Sequence, residues 1–156
     1  MTARRDLNLH EGSRIPPMDA FLAYGAMLPF PAAFVVALAA PFLAGAAVLG
    51  AQLWGAALLL FFSGVRRGLS FRTPGGATGP QMAAFAGLFS AGFVALLLPA
   101  AWALPLILVA LLLMAAIDPV AARRAEAPLY FERLRPPQLA VGVAGLAGLT
   151  AMVVLF

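Results

Sequence analysis

The chain has 156 residues, of which 63% are hydrophobic and only 10% charged, and its mean hydropathy is +0.99. A soluble domain carries about a quarter charged residues, so this composition excludes a soluble globular protein. Cysteine is absent and histidine occurs once, at His10, which excludes disulfides, iron–sulfur clusters, thiolate zinc and any metal site built from two imidazoles. All ten basic residues are Arg and the net charge is +4. Their distribution reads as a membrane-topology signal rather than as a nucleic-acid footprint.

Residues 20–63 hold no charge. As one helix these 44 residues would run roughly 66 Å at about 1.5 Å each, against a hydrocarbon core of about 30 Å. They must cross twice, and Pro41 marks the reversal. Residues 81–117 form a second long run whose break falls at Pro99 and Pro105, on either side of an interfacial Trp102. Residues 139–156 cross once. The expected architecture is an all-α integral membrane bundle of five transmembrane helices, with spans at about 20–40, 42–64, 81–98, 102–117 and 139–156. A polar tail, residues 1–19, precedes it.

The arginines set the orientation. Arg4, Arg5 and Arg14 precede the first span, and Arg66, Arg67 and Arg72 follow the second. Arg123, Arg124, Arg133 and Arg135 lie between the fourth and fifth. With five spans all three groups fall on one side and both uncharged hairpins on the other, a complete positive-inside asymmetry. A four-span reading would scatter the arginines over both faces. The N-terminus is therefore expected in the cytoplasm and the C-terminus outside. Arg4-Arg5 is followed by no short apolar region with a cleavage site, so no cleavable signal is expected.

Local features follow in chain order. Asp19 after Pro16-Pro17 looks like a helix cap, and Pro29 with Pro31 should kink the first span. The loop with Arg66, Arg67, Arg72 and Pro74-Gly75-Gly76 reads as a cytoplasmic connector able to meet lipid head groups. Asp118-Pro119 reads as a cap opening a short interfacial helix over 120–127. Tyr130 and Phe131 beside Arg133 and Arg135 are interfacial anchors, and Pro136-Pro137 should end that segment. Asp118, Glu126 and Glu132 are expected to form solvated, individually weak ion pairs with the arginines.

No ionisable residue falls within these five spans, whereas mid-membrane charges are the usual mark of ion paths and substrate sites. The polar inventory is Tyr24, Gln52, Ser63, Gln81, Ser90 and Thr150, with Gln52 the best placed for an interhelical hydrogen bond. This argues against a coupled transporter or pump, and against an enzyme, since no nucleophile–base or carboxylate pair is placed at the membrane. Small residues at four-residue spacing suit close helix packing, notably Gly50, Gly55 and Gly87, and Ala140, Ala144 and Gly148 with Gly142 and Gly145 alongside. The fourth span is bulky, as a lipid- or partner-facing helix would be.

Three stretches resemble the small multipass inner-membrane family catalogued as domain of unknown function 3429 (mitochondrial transmembrane protein 69-like). Tyr24-Gly25-Ala26-Met27-Leu28-Pro29-Phe30 looks like its helix opening, which leads from Gly to Pro-Phe. Gly64-Val65-Arg66-Arg67-Gly68-Leu69 resembles its Gly-Val-His-Trp-Gly-Leu signature, with Arg66 and Arg67 replacing His and Trp. Asp118 with Arg123-Arg124, then Pro128-Leu129-Tyr130-Phe131-Glu132-Arg133-Leu134-Arg135, parallel its last two patterns. The resemblance runs from Ala20 to the C-terminus. It implies an energy-conserving membrane, either bacterial or mitochondrial inner, and supplies no settled biochemical activity.

The function expected is that of a non-catalytic accessory subunit or assembly factor of a respiratory or photosynthetic electron-transport complex. The alternative is a small homo-oligomeric transporter or lipid-handling protein. The chain is expected to have no cofactor or metal of its own, with phospholipid, quinone or carotenoid as interfacial ligands. Its partners would be other membrane subunits and lipids, and no nucleic acid. The contact candidates are Arg66, Arg67, Arg72, Arg123, Arg124, Tyr130, Phe131, Arg133 and Arg135; the packing candidates are Gly50, Gly55, Gly87, Ala144 and Gly148.

Overall fold

The computed structural model describes residues 14–155; Arg4, Arg5 and His10 lie outside the described residues. Six α-helices follow one another: α1 Pro17–Met27, α2 Pro29–Ala39, α3 Ala44–Ser70, α4 Gly79–Leu97, α5 Ala100–Arg123 and α6 Phe131–Leu155. A short 3-10 turn, Pro41–Leu43, joins α2 to α3. Taken together, α1 and α2 form one crossing, so five helical segments are long and apolar enough to span a membrane. Among the described residues there is no strand.

The first crossing is interrupted at Leu28, between α1 and α2, next to Pro29 and Pro31, neither of which supplies the backbone N–H that the preceding turn would accept. Trp54 of α3 donates from Nε1 to the Ala26 carbonyl beside this break, at 2.9 Å. Helix α1 begins at Pro17, inside the stretch expected to be tail, and its N-cap is Pro16 without a side-chain cap bond. Asp19 is therefore not the cap. At the start of α4, Thr78 and Gln81 form a reciprocal capping box, the arrangement that satisfies two free N–H groups at once. The preceding turn uses Gly75 and Gly76 at positive φ, where a side chain would be strained.

Two boundaries differ from expectation for one reason. Helix α5 continues through Asp118-Pro119 to Arg123, and turns follow over 124–130 in place of a separate interfacial helix. Helix α6 starts at Phe131 and carries Pro136 and Pro137 within it. A proline in a helix leaves one carbonyl unpaired, and near a helix end water or headgroups satisfy it. Helix α5 closes with Glu126 N–H on the Ala121 carbonyl and Ala125 N–H on that of Ala122, at 2.9 and 3.1 Å. That Schellman closure places Ala125 at φ 56°.

Helix α3 packs on α2, α4 and α5, while α6 packs on α1, α2 and α5. The apolar centre comprises Met27, Phe30, Leu59, Leu104, Ile107, Leu111, Leu139, Leu146 and Leu149, all fully buried. Glycines permit the tightest crossings. A Cβ on Gly145 would lie 2.3 Å from the Pro31 nitrogen, and one on Gly92 2.9 Å from the Ala56 carbonyl. Backbone thus rests on backbone where α6 meets α2 and where α4 meets α3. Outward faces carry bulky apolar side chains such as Phe21, Phe42, Leu97 and Trp102, the surface a bilayer would solvate.

Candidate functional site

Three helices bring charge to one buried point. Arg66 of α3 donates from Nη2 to Asp118 Oδ1 of α5. On the other side, Nε of Arg135 in α6 stands 3.3 Å from Asp118 Oδ2. The side chains of Asp118, Arg135 and Arg66 are only 3%, 9% and 12% exposed. The expectation of a solvated ion pair at Asp118 is corrected here; the three residues fall just beyond the expected spans. Asp118 and its partners lie inside three continuous helices, at their arginine-bearing ends.

Local sequence builds this cluster. Asp118 continues the inward stripe Leu104, Ile107, Leu111 and Met114 of α5, all buried, at alternating spacings of three and four that keep one helix face. On α3 Phe62 stands one turn before Arg66, and on α6 Phe131 stands one turn before Arg135. The Arg135 guanidinium sits over both rings, 4.8 Å from the Phe62 centroid and 4.4 Å from that of Phe131. A guanidinium is weakly hydrated and stacks on aromatic faces, which offsets part of the cost of burying it. Two guanidiniums face one carboxylate, so the cluster carries one net positive charge.

Neighbouring contacts close the same end of the bundle. The Tyr130 hydroxyl donates to Asp19 Oδ2 at 2.6 Å, tying the start of α1 to the turn before α6. Arg123 pairs with Glu132 at 2.8 Å in the open. Arg67 donates to Ser70 Oγ and lies 4.1 Å over the Phe71 ring. Arg72, Arg123, Arg124 and Arg133 are exposed. The nine expected contact residues thus divide. Arg66 and Arg135 turn inward with Phe131 and Tyr130 half-buried beside them, and the rest, half-buried Arg67 apart, face outward. Among the described residues two buried side-chain atoms lack a hydrogen-bond partner, Arg135 Nε in the cluster, which keeps only its ion pair, and Gln138 Oε1 further along α6.

At the opposite end, Gln52 donates from Nε2 to the carbonyls of Ala95 and Leu98 at 2.8 and 2.9 Å. These lie where α4 stops before Pro99, and carbonyls at a helix C-terminus lack intrahelical donors. Gln52 therefore makes the interhelical bond expected of it.

The packing candidates divide too. Gly55 faces Ile107 and Phe30, and Gly148 faces Phe34. Gly50, Gly87 and Ala144 are exposed, and a Cβ at Gly50 or Gly87 would meet nothing within 4 Å. On α6 the face that packs carries Gly142 and Gly145, not Ala140 and Ala144, because the former meet Met27, Phe30 and Pro31 at the break between α1 and α2.

A half-open apolar groove of about 540 Å³ runs between α4 and α5, with Arg66 among its lining residues. Among the described residues no three His, Cys, Asp or Glu side chains gather as metal ligands would. Chemically, the site offers permanent positive charge next to an apolar slot.

The fold and site define an all-helical protein with five membrane-length apolar segments. In comparisons with known proteins, no family model, no curated protein and no solved structure matches this chain.

Proposed function

We propose that this chain is a non-catalytic accessory subunit or assembly factor of a larger energy-conserving membrane complex, respiratory or photosynthetic. In this reading it lies in a bacterial inner membrane with the arginine-bearing end in the cytoplasm, where positive-inside asymmetry puts it. The observation that carries the reading is a pair of bare outward faces. Ala46 with Gly50 on α3, and Ala140 with Ala144 on α6, lie one turn apart and exposed. Small residues one turn apart let a second helix approach closely, and none of the described helices covers them. Two of the three stretches that carry the resemblance to the inner-membrane family also supply Arg66, Asp118 and Arg135. That supports an integral-membrane scaffold built around the cluster.

The test is native electrophoresis of source membranes in digitonin, with mass spectrometry locating the chain. An accessory subunit co-migrates with a complex far larger than its own 16.2 kDa, and Gly50→Leu releases it. Migration as a small oligomer of this chain alone refutes the reading. It would instead favour a homo-oligomeric lipid-handling protein or transporter, a second reading that rests on the α4–α5 groove.

A further inference from the structure

Among the described residues that line the groove between α4 and α5, one is charged, Arg66. The groove's walls are small on α4, at Gly87 and Ala91, and bulky on α5, at Leu106 and Leu113; Pro80 and Arg66 also line it. Pro80 to Ala91 spans eleven residue steps, roughly 16 Å of helix at about 1.5 Å per step. That is close to half of a hydrocarbon core of about 30 Å. The slot is therefore as deep as one leaflet and too short for a membrane-crossing helix.

Arg66 links this slot to the buried cluster. One edge of its guanidinium is used on Asp118, and it makes no other hydrogen bond among the described residues. Because Asp118 is shared with Arg135, the cluster retains one positive charge that no other ion pair among the described residues balances. An arginine presents five N–H donors in a fork that matches phosphate oxygens. A phosphate on Arg66 would neutralise the cluster while its acyl chain filled the slot. A neutral apolar ligand would do only the second.

We infer that the α4–α5 groove binds one anionic phospholipid of the leaflet at the arginine-bearing end, with its phosphate on Arg66 and one acyl chain along Gly87 and Ala91. The site is independent of whether the chain joins a complex.

The test uses native mass spectrometry of the full chain in detergent, titrated with equal amounts of phosphatidylglycerol and phosphatidylcholine of the same acyl chains. The expected result is one retained phosphatidylglycerol per chain, favoured about fivefold or more, the ratio that one arginine at an anionic surface supplies. Gly87→Leu fills the slot and should abolish retention. Gly50→Leu, on a bare face outside the groove, should leave retention unchanged. Arg66→Gln should bring the two lipids to parity; since Arg66 also holds Asp118, Gly87→Leu decides the matter if that variant does not fold.

Three results would overturn the inference. The first is equal retention of both lipids by the unaltered chain, and the second is full retention by Gly87→Leu. The third is a lipid-free dimer that Gly87→Leu splits, which would give the groove to a second copy. Separation of the two readings is built in: Gly50→Leu acts on complex membership, and Gly87→Leu on lipid.

Discussion

Nε of Arg135 lies 3.3 Å from Oδ2 of Asp118, across the crossing of α6 and α5 and beneath the Phe62 and Phe131 rings. Arg66 holds the other carboxylate oxygen. One carboxylate thereby fastens three helices at the end where five helix termini meet. Charges buried at such depth are costly unless paired, so the cluster ties the positions of α3, α5 and α6 together.

The bond between Tyr130 and Asp19 joins residues far apart in the chain and is partly exposed. Tyr130→Phe removes the hydroxyl and keeps the ring contact with Phe131. It should cost about 1–2 kcal/mol, the worth of a hydrogen bond to a charged group at a partly solvated site. Proteolysis should show the loss at the start of α1 before the rest of the bundle loosens. Uniform loosening would place the bond's effect elsewhere.

Gln52→Leu leaves the Ala95 and Leu98 carbonyls without their donor. Interhelical hydrogen bonds in membranes average about 0.6 kcal/mol and reach about 1.7, so the two together predict a loss of about 1–2 kcal/mol. Detergent-unfolding midpoints would measure it. Gln52→Glu should be worse, because a carboxylate offers those carbonyls no donor and adds a buried charge.

Gly145→Ala introduces a Cβ 2.3 Å from the Pro31 nitrogen. Overpacking against backbone costs about 1–3 kcal/mol or more. Gly25→Ala, whose Cβ would meet nothing within 4 Å, should be neutral or slightly stabilising through helix propensity. A thermal-aggregation series on the two variants separates the crossing from a general dislike of larger residues.

Ala125 holds a left-handed conformation, φ 56°, at the Schellman closure of α5. An alanine there costs about 1 kcal/mol relative to glycine. Ala125→Gly should therefore raise stability by about that amount, although it removes a methyl group. A drop in the unfolding midpoint would contradict this closure.

Much of this was legible in the sequence, for identifiable reasons. Long charge-free runs exceed one bilayer thickness and force reversals, and Pro41 opens the turn that provides one. Pro29 and Pro31 stand at the break in the first crossing, and Gln52 is the central polar side chain. The cluster was missed because charge was treated as the edge of each span. Asp118-Pro119 resembles a cap, yet Asp118 also falls next on the buried stripe through Leu111 and Met114. Periodicity, unlike the proline, reports which face a residue takes. Likewise Phe62 and Phe131, each one turn before an arginine, mark positions where a guanidinium can be buried.

Topology has a clean assay, since the chain has no cysteine. Phe42→Cys lies at the exposed turn between α2 and α3, and Ala77→Cys lies in the exposed connection before α4. A membrane-impermeant maleimide added to intact cells should label the first, and the second only after permeabilisation. The reverse pattern would invert the proposed orientation.

The cluster itself is tested most directly by unfolding free energies in mixed micelles for Asp118→Leu and for the triple variant Arg66→Met, Asp118→Leu, Arg135→Met. Removing the carboxylate alone leaves two buried guanidiniums unopposed and should cost about 3–5 kcal/mol, while replacing all three with apolar groups should be close to neutral. The account predicts that the triple variant recovers most of the stability the single variant loses. A triple variant as unstable as Asp118→Leu, or a single variant as stable as the unaltered chain, would contradict it.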